Sequence, residues 1–513
     1  MHAPSLDLSP LLFPRAVAVV GASDTPGSPG TIVFHQLLRS SIPTYPVHPR
    51  KETLAGSRVY AAVEDLPDGV DVAVIAIAAA RAVPVAEACA RRGIPFIVVL
   101  AGGFAEAGDE GRELEAQLRQ VAAASRSRIL GPNTLGLFVP EKGLDTIFVE
   151  HGDSALAGGG PVAFVTQSGS VGVEALGLAS NAGFGMRAFV GLGNKCDLDE
   201  LDFLRFFDRD SATRCLAFYV ESLEDGRAFL EEARHAAKSK PVVLLKAGRT
   251  DAGASAVVSH TGRLAGSDQV VSGAFKQYGI HRAADEEELT DAAKALAMVP
   301  AARGNRVAVV TPAGGYGVMS VDYIEEPRRG VPLRVARLAP ETQARIRDAT
   351  FPFASVRNPV DLTAGASDEM FGLALDEVLA DDGVDLVMCI AFFSPALLTE
   401  DLVEVIARRV RATTKPVLVV TQYGPFTDDY LRRFYDAGVL GFPSVYRAVR
   451  AARILVERSI IENASGQAPG GEDPRIQDRY GAWHRTLRVS GRPDEYEAKQ
   501  LLSSIGISVP SGV

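Results

Sequence analysis

At 513 residues the chain is too long for one hydrophobic core, and about three domains are expected. Hydrophobic residues make up 47% and charged residues 23%, an ordinary soluble composition, and the net charge of -10 argues against a nucleic-acid protein held by phosphate contacts. Four scattered cysteines (Cys89, Cys196, Cys215, Cys389) show no metal-ligand spacing, and the apolar runs are of strand length, too short to span a membrane. With no signal-peptide pattern at the N-terminus, the expectation is a cytoplasmic protein with free thiols, no bound metal, no membrane and no nucleic acid.

Residues 15–21 (RAVAVVG) read as a buried strand ending at Gly21. A glycine-bearing loop follows, then a helical pattern from Thr31 to Leu38. Strand, loop and helix make a site for a nucleotide phosphate, because the free N–H groups of a helix start face an anion. The spacing departs from G-x-G-x-x-G, so glycine-rich turns without a nucleotide remain open. The second strand ends in Tyr45-Pro46-Val47-His48-Pro49-Arg50-Lys51, which is basic where nicotinamide folds carry an acid. It suits the 3′-phosphate of CoA or the 2′-phosphate of NADP, or it is a solvated Arg-Lys pair.

Strands follow at Val70–Ala76 and Pro95–Leu100, a helix at Glu110–Ala124, and a turn through Gly131-Pro132-Asn133. Repeated β–α alternation implies a mostly parallel sheet with helices on both faces and ligands at the carboxyl ends of its strands. A second block opens at Pro161–Thr166, runs into Gln167-Ser168-Gly169-Ser170, and continues as a helix from Val173 to Ala182. Its later strand, Cys215–Val220, ends at Glu221. Residues 240–268 then read as a strand followed by a small-residue loop carrying His260.

A third block begins with Arg306–Thr311 and the turn Gly314-Gly315-Tyr316-Gly317. Residues 162–173 (VAFVTQSGSVGV) align with 307–318 (VAVVTPAGGYGV), and Lys240-Pro241-Val242 recurs as Lys415-Pro416-Val417. A duplicated α/β domain explains this better than chance likeness of two buried strands. The copies differ where chemistry would lie: after Lys415-Pro416 there is no histidine before Ser444, and the strand opposite Glu221 ends in Ser394-Pro395. Beyond a polar stretch, a helix is expected from Glu495 to Ile505, started by Pro493 or Asp494, with 507–510 strand-like.

A neutral imidazole can carry phosphate on one ring nitrogen, a carboxylate can hold the proton of the other, and helix N-termini can stabilise the phosphate without a metal. His260, Glu221 and the helix starts at 168–170 and 314–317 supply those parts. On spacing alone, a structural or solvated loop histidine is the plainer reading of His260.

The order of motifs resembles the NDP-forming (ADP-forming) acyl-CoA synthetases, relatives of succinyl-CoA synthetase. The resemblance rests on Gly21-Ala22-Ser23, Gly102-Gly103-Phe104-Ala105-Glu106, Gly131-Pro132-Asn133, Gln167-Ser168-Gly169 and Glu221-Ser222. It continues through Ser259-His260-Thr261-Gly262 with Leu264-Ala265-Gly266, then Gly314-Gly315-Tyr316-Gly317 and Asn358-Pro359-Val360-Asp361. It implies an α/β fold of three doubly wound, mostly parallel-sheet domains. These would be a Rossmann-like CoA-binding domain (1–140) and two flavodoxin-like CoA-ligase domains (155–300 and 304–460). A linker (461–492) and the start of a truncated ATP-grasp module (493–513) would follow.

By the same resemblance His260 is the phosphorylated histidine and Glu221 its partner. Gln167, Ser168, Gly169, Ser170, Gly314, Gly315, Tyr316 and Gly317 would grip the phosphate. Gly21, Ala22, Ser23, Pro26, His48, Arg50, Lys51 and Asn133 would hold CoA, with His48-Pro49 standing where such domains often have Asn-Pro. The implied reaction converts a carboxylic acid, ATP and CoA to acyl-CoA, ADP and phosphate through an acyl phosphate. Mg2+ and ATP or ADP would bind only with an ATP-grasp module, in a continuing chain or a separate subunit, and an oligomer is expected. A non-enzymatic CoA-binding regulator and an NADP-binding oxidoreductase are the alternatives.

Overall fold

The continuous apolar runs of this sequence become strands buried on both faces, as helix-covered parallel sheets require. A computed structural model describes residues 6–149, 159–182, 184–261, 267–326, 330–393, 397–465, 494–504 and 509, with side chains at 180–182, 258–261, 465, 501 and 504 left out. The first sheet has five parallel strands in the order Thr44–Val47, Val17–Val20, Val72–Ile75, Phe96–Val99, Arg128–Leu130. The chain starts at a central strand and changes direction between Val17–Val20 and Val72–Ile75, so a crevice opens at the carboxyl ends of those two strands.

The second sheet has seven strands. Five are parallel, in the order His281–Arg282, Val242–Lys246, Cys215–Val220, Val162–Thr166, Met186–Gly191. Leu137–Val139 and Leu144–Asp145 extend it antiparallel, so the chain crosses from the first sheet to the second through residues 131–136. The third sheet repeats the order of those five parallel strands: Leu440–Phe442, Val417–Val420, Leu386–Ile390, Arg306–Thr311, Arg334–Val335. Val360–Asp361 adds a short pairing to Arg306–Thr311. The internal repeat is therefore a repeat of strand order and direction as well as of residues.

The turn after each first strand is built alike in both copies. Thr166 Oγ1 donates to the Ser168 carbonyl at 2.7 Å and accepts from the Ser168 N–H at 3.2 Å. Thr311 Oγ1 does the same with Ala313, at 3.0 Å each way. The shared threonine bends the strand into its glycine-rich helix start, as side-chain-to-backbone bonds of this local kind do.

Residues 251–261 differ from the small-residue loop expected there: they form helix Asp251–Thr261, with His260 in its last turn. Thr250 starts it, accepting the Gly253 N–H at 3.0 Å through its hydroxyl and the Ala254 N–H at 2.7 Å through its carbonyl, and Asp251 lies in the positive first turn. Alanine and serine in that run cost a helix little once it is started. The helix expected from Val173 begins earlier, as Gly169–Ala182, and strand Met186–Gly191 and helix Glu200–Arg209 stand where no element was assigned.

Residues 1–461 form one compact unit and 462–513 another. In the second, helix Glu495–Ser504 is started by Asp494, which accepts from the Glu497 N–H at 2.8 Å while Glu497 accepts from the Asp494 N–H at 3.1 Å. The strand-like 507–510 falls almost wholly outside the described residues. Among the described residues no helix is long and apolar enough to cross a membrane.

Candidate active site

Glu221 stands one residue past the end of strand Cys215–Val220 and is 6% exposed. Its backbone is held from two sides. The Gln167 amide oxygen accepts from the N–H of Glu221 at 2.9 Å and of Ser222 at 3.1 Å, and the Gln167 amide nitrogen donates to Ser222 Oγ at 3.4 Å. The Lys246 ammonium donates to the Glu221 carbonyl at 2.6 Å, and that of Lys195 to the Ser222 carbonyl at 2.8 Å. Lys195 is fully buried and pairs with Glu200 at 3.0 Å. Burial, and next the charge of Glu221 and the hydrogen bond that the phenol donates to it, push the Tyr219 phenol up to about 12.

Glu221 and Gln167 line a cavity of 610 Å³ together with Ser168, Gly169 and Ser170 at the start of helix Gly169–Ala182. The Ser168 and Ser170 hydroxyls lie 3.2 Å apart there, beside the N–H groups of the helix start. The opposite wall comes from the first sheet's side: Asn133, Glu106, Glu115, Arg112 and Arg119. Glu106 accepts the Gly103 N–H at 2.6 Å and an Asn194 amide hydrogen bond at 2.6 Å, which hold its carboxyl below the usual range against the opposing effect of burial. Asn194 also donates to Glu115 at 2.9 Å, so residues 191–194 tie the two sheets together.

A second cavity, of 950 Å³, opens at the first sheet's crevice. Its floor is Gly21, Ser23, Ser28 and Pro29 at the start of helix Pro29–Leu37, where Ser28 caps the Thr31 N–H. A Cβ on Gly30 would overlap the Gly21 carbonyl, so the strand end and the helix start touch and their N–H groups stay close to a ligand. His48, Arg50, Arg81 and Arg91 bring basic groups to the rim. Burial first, then Lys51 and Arg50, push the His48 imidazole below its usual value. Helix start, close backbone and basic rim fit the phosphates of a CoA. Among the described residues, Phe148 is the one side chain lining both cavities.

A CoA-binding-domain model matches residues 15–140, and a model of the succinyl-CoA-ligase-like flavodoxin domain matches residues 159–296. The acetate–CoA ligase [ADP-forming] I subunit alpha of Pyrococcus furiosus is 34% identical over 462 residues, which cover 88% of this chain and 98% of that one. The chain belongs to the ADP-forming acyl-CoA synthetase family. A longer member, acetate–CoA ligase [ADP-forming] I of Archaeoglobus fulgidus, is 32% identical, with 97% of this chain covering 74% of it. Among solved members, the dinucleotide-forming acetyl-coenzyme A synthetase 1 of Ca. Korarchaeum cryptofilum, in complex with phosphate and ADP, matches with a TM-score of 0.80 and 33% identity. That match covers 90% of this chain and 100% of the solved one.

In this member of the ADP-forming acyl-CoA synthetase family, the structure brings Glu221, Gln167, Ser168, Gly169, Ser170 and Asn133 to one cavity. Gly21, Ser23, His48 and Arg50 line the other. Asn133 thus faces the Glu221 cavity rather than the basic one. Ala22 is fully buried, Lys51 is paired with Asp24 at 2.7 Å, and Pro26 lines neither cavity. Residues 314–317 start helix Gly314–Glu325 and line neither cavity, and the Asp361 carboxylate lies 2.7 Å from where a Cβ on Gly314 would stand. The His260 side chain and residues 262–266 lie outside the described residues. Sequence reasoning missed Lys195, Asn194, Glu115, Arg112, Arg119 and Phe148. For the first two a signal existed: the apolar run 186–191 ends in Gly191-Leu192-Gly193-Asn194, a strand followed by a glycine turn.

Proposed function

We propose that this chain carries the acyl-transfer chemistry of an ADP-forming acyl-CoA synthetase, with His260 as phosphate carrier and Glu221 as its carboxylate partner. The observation that carries the reading is the shared cavity of Glu221, Gln167 and the helix start at 168–170, set beside a separate basic, glycine-floored cavity. Phosphohistidine brings its phosphoryl group to that helix start. A carboxylate oxygen of the acid attacks phosphorus, the P–N bond breaks, and an acyl phosphate forms while the imidazole returns neutral. The CoA thiolate, delivered from the basic cavity, attacks the acyl carbon, the C–O bond breaks, and inorganic phosphate leaves. Every step is reversible, and the helix start offers its N–H groups to phosphate throughout without the rearrangement that water would need. Glu221 holds the second imidazole proton and favours the tautomer whose free nitrogen is nucleophilic.

ATP or ADP with Mg2+ enters through an ATP-grasp module. The subunit name of the Pyrococcus relative and the greater length of the Archaeoglobus one support a partner subunit or a continuing chain as its source. The chain incubated with radiolabelled acetyl phosphate should become labelled on His260. Glu221→Gln should slow labelling by about a hundredfold or more, as loss of a group that sets the protonation of a nucleophile does. Equal labelling of His260→Ala sinks the reading.

A further inference from the structure

Lys246 is 7% exposed, and its ammonium donates to two carbonyls, those of Glu221 and Ala247, each at 2.6 Å. A buried cation spent on neutral carbonyls is costly, and packing alone does not call for one. The duplicated domain supplies a control within the same molecule. Strand register pairs Val220 with Lys246 in the first copy, and Leu216 with Val242 corresponds to Val387 with Val417 in the second. Carried along those strands, Lys246 corresponds to Thr421 and Glu221 to Phe392. By the matching register of the first strands, Gln167 corresponds to Pro312. The turn threonines, Thr166 and Thr311, persist in both copies with the same two hydrogen bonds. So the fold's own turn needs the threonine, whereas the lysine occurs only in the copy that carries Glu221. In the other copy the Thr421 hydroxyl is buried with no hydrogen-bond partner among the described residues.

We propose that Lys246 is a positioning residue for Glu221: it fixes the carbonyl of that residue from below while Gln167 fixes its N–H, which aims the carboxylate into the phosphate-transfer cavity. This rests on the proposed role of Glu221, and a double-mutant cycle separates the two. The full chain is labelled from acetyl phosphate as parent, Lys246→Met, Glu221→Gln and the double variant. Lys246→Met should lower the labelling rate at saturating acetyl phosphate about tenfold or more, with half-saturating acetyl phosphate and CoA affinity within about twofold of the parent. In the Glu221→Gln background the same change should cost less than twofold, because Lys246 acts through Glu221. If Lys246→Met does not fold, Lys246→Thr, the residue that the second copy carries at this position, is held to the same criteria. Parent-like labelling of the Lys246 variant, additive losses in the double variant, or loss of CoA affinity together with rate would each overturn the proposal. Parent-like labelling of Glu221→Gln would instead overturn the role of Glu221.

Discussion

Next to the clamp on Glu221 lies a second residue whose charge is out of balance with its place. Asp199 caps helix Glu200–Arg209, its Oδ1 accepting from the N–H of Leu201 at 2.8 Å and of Asp202 at 3.3 Å. Burial, then Glu200 and Asp202, push its carboxyl up to about 6. An acid raised in this way adds stability below its ordinary value of 3.8, and that contribution is lost as pH rises through about 6. Asp199→Asn keeps the capping oxygen and removes the charge. It should leave Tm unchanged near pH 4 and raise it by about 2 °C at pH 7.5, the scale expected for 1–2 kcal/mol in a chain of this size after allowing for solvent screening. Melting curves at the two pH values check this, and an equal shift at both would remove the electrostatic cause. The same helix presents Glu200, Glu200 pairs with Lys195, and Lys195 holds Ser222 beside Glu221.

Elements were legible where one physical rule decided them. Apolar runs bounded by glycine mark the strands, and of the two candidate starts of the last helix, Pro493 and Asp494, the structure uses Asp494 in a reciprocal cap with Glu497. Helix Asp251–Thr261 was not legible, because its small residues carry no apolar stripe of helical period, and the Thr250 cap that starts it is a structural feature. Strand Met186–Gly191 was missed although it ends in a glycine turn, and with it went Asn194 and Lys195, which close the site. The family resemblance assigns Asn133 to CoA, and its side chain lines the Glu221 cavity. Its hydrogen bond to Asn194 at 3.2 Å depends on the crossing between sheets, which no local pattern records. The glycine turn of the first sheet can be tested as an element. Gly30→Ala would force the helix start away from the Gly21 carbonyl, an overpacking that costs about 1–3 kcal/mol. CoA affinity measured by calorimetry should fall about tenfold, while labelling from acetyl phosphate without CoA stays within about twofold. Both falling together would mean that the two cavities are not separable.

Across the larger compact unit, the equipped copy and its plainer duplicate share one continuous core, in which Ala292 and Leu296 from the first pack with Leu418, Leu440 and Val449 from the second. That seam fixes the copy that carries Glu221 against its duplicate, whose described residues line neither the Glu221 cavity nor the basic one. Its polar stitches are Arg447 to Asp291 at 2.7 Å, Arg450 to Asp285 at 2.8 Å, and the fully buried Lys294, whose ammonium donates to the Gly441 carbonyl at 2.6 Å. Phe184 and Phe442 present ring faces to that ammonium at 5.9 and 5.5 Å, which offset part of its desolvation. Burial still wins and lowers the amine to about 8. A base lowered on folding binds fewer protons in the native state than in the unfolded one between its two values. Its burial cost is therefore fully present below about pH 8 and is relieved as pH rises toward 10.5. From this residue alone the parent should gain about 1.5 kcal/mol between pH 8 and 9.5. Lys294→Met lacks that gain, so the stability of the parent relative to the variant should grow by that amount between the two pH values, whatever their difference at pH 8. Urea unfolding of both proteins at each pH measures it. A difference that stays constant, or that moves toward the variant, would mean that the seam holds Lys294 charged at no cost.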